Sequence, residues 1–92
     1  MKTTEEKALV TISNKWGLHA RVSFKVASSA KGFDADITLE KDGNMANAKM
    51  MDELLMLCAQ YGDTVLVRAS GPQGREAVEA LAEILRSCAE GE

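Results

Sequence analysis

The chain has 92 residues, 46% of them apolar and 27% charged, a profile of one folded domain rather than a disordered or multidomain chain. Its formal net charge of −3 argues against nucleic acid as a general partner, because phosphate neutralisation needs clustered Lys and Arg. No apolar run approaches the roughly 18 residues that span a bilayer, and "MKTTEEKALV" has acids where a signal peptide needs basic residues, so a cytoplasmic protein without membrane insertion is expected.

Residues 7–13, "KALVTIS", alternate, with Ala8, Val10 and Ile12 on one face, and read as a strand. "NKWG" breaks the pattern with turn formers. Over residues 20–31 Ala20, Phe24, Ala27 and Ala30 recur at helical spacing, with Val26 alongside, and Gly32 is the expected stop. Residues 35–41 alternate again through Ala35, Ile37 and Leu39. Asp42-Gly43 then signals a two-residue hairpin, whose favoured turn needs positive φ at both positions. "NMANA" supplies the return strand, and residues 50–59 suit a short helix rich in Leu and Met, closed at Gly62.

A further strand is expected over residues 64–70, with Val65, Val67 and Ala69 facing one way. After the turn "GPQG", residues 75–89 carry a continuous stripe of Ala77, Val78, Leu81, Ile84, Leu85 and Cys88. The order β-α-β-β-α-β-α gives every strand and helix a single apolar face. That predicts one α+β domain over residues 1–92, an open-faced two-layer sandwich with helices on one face of an antiparallel sheet. Cys58 and Cys88 are far apart in sequence and are expected as free, half-buried thiols. With a single histidine they make no convincing zinc set, so no metal is expected.

That single histidine, His19, falls where the first helix begins. A helix start presents backbone N–H groups without intrahelical partners, and these donors with the dipole form an anion site. An imidazole there is placed to capture a phosphoryl group on nitrogen and to have its oxygens held by the donors. Arg21 adds a guanidinium suited to phosphate. The competing reading makes His19 an exposed capping residue and Arg21 a solvated charge. With no nucleotide-binding glycine loop and no second histidine, the chain needs a donor protein. It would be a phosphotransfer intermediate rather than an independent enzyme, and no cofactor is expected.

"GLHAR" (Gly17 to Arg21), preceded by "VTISN" at 10–14, resembles the phosphorylation-site signature of HPr, the histidine phosphocarrier family of the bacterial phosphotransferase system. The resemblance continues through "NAKMMDELLMLCAQYGDTVLVRASG" at 47–71 and "GREA" at 74–77, and the family's open-faced sandwich agrees with the order above. It implies that His19 is the phosphoryl acceptor through Nδ1, that Arg21 assists, and that the N–H groups of Ala20 and Arg21 contact the phosphoryl group. It further implies enzyme I as donor, itself phosphorylated by phosphoenolpyruvate, and enzyme IIA components as acceptors. Trp16, Leu18, Met51, Leu54 and Leu55 are the expected docking residues, on a protein expected to be monomeric.

Two positions depart from the family. Proline usually follows the arginine and pre-sets the first helical turn; here Val22 stands there and gives up some pre-organisation. In many Gram-positive relatives a serine phosphorylated by a kinase follows the lysine of "NAK". Here that position is Met50, which has no hydroxyl to modify, and Ser23, Ser28 and Ser29 are only helix-surface candidates. The alternative function is a regulatory protein-binding module of a nitrogen-type or incomplete phosphotransferase system, with little or no transfer. An RNA-binding domain fits poorly, since aromatics are 4% of the chain and single-strand readers need exposed stacking residues.

Overall fold

The computed structural model describes residues 5–13 and 18–86; the turn expected at 14–17 and Cys88 lie outside them. The elements are β1 (Glu5–Thr11), α1 (Ala20–Ala30), β2 (Asp36–Lys41), β3 (Asn44–Asn47), α2 (Met51–Leu57), β4 (Thr64–Ser70) and α3 (Gly74–Arg86). The four strands form one antiparallel sheet in the order β1-β4-β2-β3. The β2–β3 hairpin turns through Asp42 at φ 52° and Gly43 at φ 84°, the two positive values that the Asp-Gly pair predicts.

Period-two alternation sorts each strand between two faces. Val10, Ile37, Leu39, Ala46, Val65, Val67 and Ala69 are buried on the inner face. Against them pack Val22 and Val26 of α1, Leu54 and Leu57 of α2, and Ala77, Leu81 and Leu85 of α3. The outer face stays open, with Leu9 at 69% exposure and Arg68 reaching Glu5 at 3.2 Å and Glu40 at 3.8 Å.

The structure corrects four local expectations. On α1, Ala20 and Phe24 face solvent, Phe24 at 61% exposure, and the buried stripe is Val22, Ser23, Val26, Ala27 and Ala30. The helix is therefore rotated so that its two valines enter the core and Ser23 is interior, not a surface site. α2 ends at Cys58, which takes the left-handed conformation at φ 56° and ψ 36°. Gly62, at φ 91°, belongs to the following turn. Cys58 is exposed rather than half-buried, because a left-handed C-cap leaves the helix without facing its core. β1 stops at Thr11 because Ile12 bonds the turn after α2 instead: its N–H donates to Asp63 O at 2.9 Å and its carbonyl accepts from Gly62 N at 2.9 Å.

Gly71 joins β4 to α3 at φ 133°, and a Cβ there would sit 3.0 Å from Ala35 Cα and 3.1 Å from Asp34 O. Gly71→Ala should therefore cost about 1–3 kcal/mol through strained backbone. Gly32 lacks that constraint: its added Cβ would meet only Ser29 O, at 3.4 Å. Gly32→Ala should stay within about 0.5 kcal/mol. Urea denaturation of the two variants checks the contrast, and equal midpoints would contradict it.

Candidate phosphoryl-acceptor site

His19 is the N-cap of α1, with extended backbone at φ −85° and ψ −173°. Its carbonyl accepts the first helical bond from Ser23 N at 2.9 Å, while its Nδ1 accepts from the Arg21 backbone N–H at 3.3 Å. The imidazole thus occupies the place where a serine or aspartate oxygen ordinarily caps a helix. With Nδ1 acting as acceptor, the proton of a neutral ring sits on Nε2. The first turn of α1 contains no acidic residue and includes Arg21, so its positive end is not offset locally.

Three contacts hold this corner. Leu18 is 3% exposed; its N–H donates to Ala59 O at 2.9 Å, and its carbonyl accepts from Ser23 Oγ at 3.0 Å. Ala59 belongs to the turn that follows α2, and Asp63 organises that turn. Its Oδ2 accepts from Gln60 N at 2.9 Å, its N–H returns a bond to Gln60 O at 2.9 Å, and Lys41 Nζ lies 3.5 Å from the same carboxylate. Residues more than forty positions apart in sequence therefore fix the strand–helix junction.

The surroundings are shallow. Leu18, His19, Leu55, Cys58, Ala59, Gln60 and Tyr61 line an open depression of about 490 Å³. A groove of about 540 Å³ is lined by Ala8, Val78, Glu79, Ala82, Glu83 and Arg86, with neither histidine nor hydroxyl among them, whereas the smaller depression holds His19. Among the described residues no group of three or more His, Cys, Asp or Glu is placed to hold a metal ion, and no helix is long and apolar enough to cross a membrane.

Of the expected site residues, the structure brings together His19, Ala20 and Arg21 on one helical turn. Leu55, at 39% exposure, flanks them, and Met51 is half-buried against the core. Leu18 and Leu54, at 3% and 0% exposure, are core residues and not docking residues. Leu54 lies three positions before Leu57, so the two share the buried face of α2. Trp16 lies outside the described residues. Tyr61, 64% exposed, and the turn organised by Asp63 had been visible only as a helix stop. An aromatic residue within turn chemistry was the available signal, and only the packing places it beside His19.

The chain matches a family model described as the PTS HPr component phosphorylation site over residues 6–87. It is similar to phosphocarrier protein HPr of Vibrio cholerae, 40% identical over 81 residues that cover 88% of this chain and 93% of that one. Phosphocarrier protein NPr of Escherichia coli is also 40% identical, over 82 residues covering 88% and 91% of the two chains. A crystal structure of a phosphocarrier protein HPr from Bacillus anthracis superposes with a TM-score of 0.86 at 34% identity, covering 89% of this chain and 98% of that one.

The neighbouring leucines of α2 separate core from surface. Leu54→Ala should lose about 2–5 kcal/mol, the usual cost of emptying a buried leucine site. Leu55→Ala should lose less than about 1 kcal/mol. Thermal melts of both variants test the assignment; a larger loss at Leu55 would reverse it.

Proposed function

Because the chain belongs to the HPr family and is a phosphocarrier of the phosphotransferase system, we propose that Nδ1 of His19 is the atom that carries the phosphoryl group. The Nδ1 lone pair attacks the phosphorus of a phosphorylated donor. An N–P bond forms as the bond from phosphorus to the donor's leaving atom breaks, its electron pair returning to the donor. Nε2 keeps its proton throughout. Transfer onward runs the same exchange with an acceptor as nucleophile, and the labile phosphoramidate suits a group that is held only between partners.

The observation that carries this reading is the place of Nδ1: an acceptor at the N-cap, bonded to a main-chain N–H of the first helical turn. Once Nδ1 is phosphorylated it can no longer accept that bond. The Arg21 N–H is then available to a phosphoryl oxygen, joined by the N–H of Ala20 and by the Arg21 guanidinium. No part of the site has to be rebuilt for this exchange.

Members of this family interact with the enzymes of the phosphotransferase system. For this chain, enzyme I is the donor and enzyme IIA-type proteins are the acceptors, all met in the cytoplasm. An open depression suits such a carrier, since the nucleophile must reach into a donor site and then into an acceptor site. Leu55 and Tyr61 provide the apolar rim, and the exposed Met50 and Met56 elsewhere on the surface are side chains that adapt to more than one partner. Relatives named HPr and NPr match at the same 40% identity, so overall similarity does not separate the two branches.

Intact mass after incubation with phosphoenolpyruvate and an enzyme I is the direct test. Wild-type protein should gain one acid-labile phosphoryl group, and His19→Ala none. A folded wild-type protein that gains nothing from its cognate enzyme I would instead identify a regulatory protein-binding module on the same fold.

A further inference from the structure

Ser23 is the only polar or charged residue among the described ones that is fully buried, at 0% exposure. An unpaired hydroxyl in a core is costly, so its bond matters. A helical serine ordinarily returns its bond to a carbonyl three or four residues back. Ser23 reaches past the helix instead, to the carbonyl of Leu18 at 3.0 Å. Its own N–H donates to the carbonyl of His19 at 2.9 Å. One residue thus grips the carbonyls of two successive residues, the acceptor histidine and the one before it. Leu18 is held on its other side by the bond from its N–H to Ala59 O.

The Leu18–His19 peptide sets the direction from which the imidazole leaves the backbone. If that peptide rotates, Nδ1 moves away from the Arg21 N–H and from the donors of the first turn. A proline at position 22 would stiffen this turn by fixing φ. Val22 leaves φ to be fixed by other means, and the adjacent residue supplies a hydrogen-bonded clamp.

We propose that Ser23 is a positioning residue for His19, its buried hydroxyl holding the Leu18–His19 peptide so that Nδ1 faces the main-chain donors of α1. It acts through the backbone and touches no phosphoryl group. The consequence is a coupling between positions 22 and 23: a proline at 22 and the serine hydroxyl at 23 restrain the same turn, so each is worth most when the other is missing. The kinetic part of the inference rests on His19 being the phosphoryl acceptor, whereas the geometric part does not.

The test uses Ser23→Ala, Val22→Pro and the double variant, with Ile37→Val as a control that loosens the core at a buried strand position. Two readouts are taken: the nitrogen chemical shifts of the His19 ring with the Arg21 amide, and the rate of transfer from phosphorylated enzyme I. Ser23→Ala should shift the Arg21 amide and the Nδ1 resonance and slow transfer roughly tenfold or more, as misplacement of a reacting group does. Adding Val22→Pro should restore most of that loss, a non-additive result. Ile37→Val should lower the melting temperature and move neither readout. Should Ser23→Ala not fold, Ser23→Cys fills the same space with a much weaker donor and should shift both readouts in the same direction.

Unchanged ring and amide shifts in the Ser23 variant would overturn the inference. So would a proline effect of equal size with and without the Ser23 hydroxyl. If the wild-type protein takes up no phosphoryl group, the acceptor role of His19 fails, and the ring and amide shifts still decide whether Ser23 positions it.

Discussion

The rest of the site depends on how Leu18 is anchored. Its side chain is in the core, its N–H is bonded to the turn after α2 and its carbonyl to a buried hydroxyl of α1. A residue restrained at side chain, donor and acceptor has almost no freedom left, and the next residue inherits its direction. His19 is that residue. An exposed side chain on a rigidly held backbone can meet large partners without first becoming ordered, which limits the entropy lost on docking.

That anchor exists only because the sheet brings distant segments together. β1 pairs with β4 over its whole length, so the end of β1 and the start of β4 lie side by side. The bonds between Ile12 and the Gly62–Asp63 segment extend this pairing beyond the last ladder residue, and the Ser13 N–H, bonded to Leu85 O at 3.1 Å, ties the same stretch to the end of α3. The turn closed by Asp63 and Gln60 then presents Ala59 O to Leu18. The corner that holds His19 is thus a product of strand order, and the helix start alone would not hold it.

The division of the surface follows the same logic. One face of the sheet is covered by three helices and provides the core. The other is left to Arg68 and its carboxylate partners Glu5 and Glu40, which are partly solvated pairs of modest energetic weight. Apolar side chains left exposed near His19, Leu55 and Tyr61 among them, are not needed for stability.

Much of this was legible in the sequence, for physical reasons that differ by element. β2, β3 and β4 could be read closely because alternation has an unambiguous period of two and Asp42-Gly43 fixes the register of the hairpin. The stripe of α3 was legible because its apolar positions Ala77, Val78, Leu81, Ile84 and Leu85 leave only one face to bury. On α1 the sequence was ambiguous: alanines and a phenylalanine at helical spacing compete with two valines, and only packing into the core beside α2 and α3 chose Val22 and Val26 over Phe24. Leu54 and Leu55 are adjacent and chemically identical, so composition could not say which one is core. The sequence by itself determined the element order, the fold class and the family resemblance carried by "GLHAR", since these depend on local pattern and on side-chain type. Only the tertiary structure decided that Ser23 is interior, that Leu18 and Leu54 are core, and that Ala59 and Tyr61 stand beside His19. Those facts depend on which surfaces meet when segments remote in the chain are packed together.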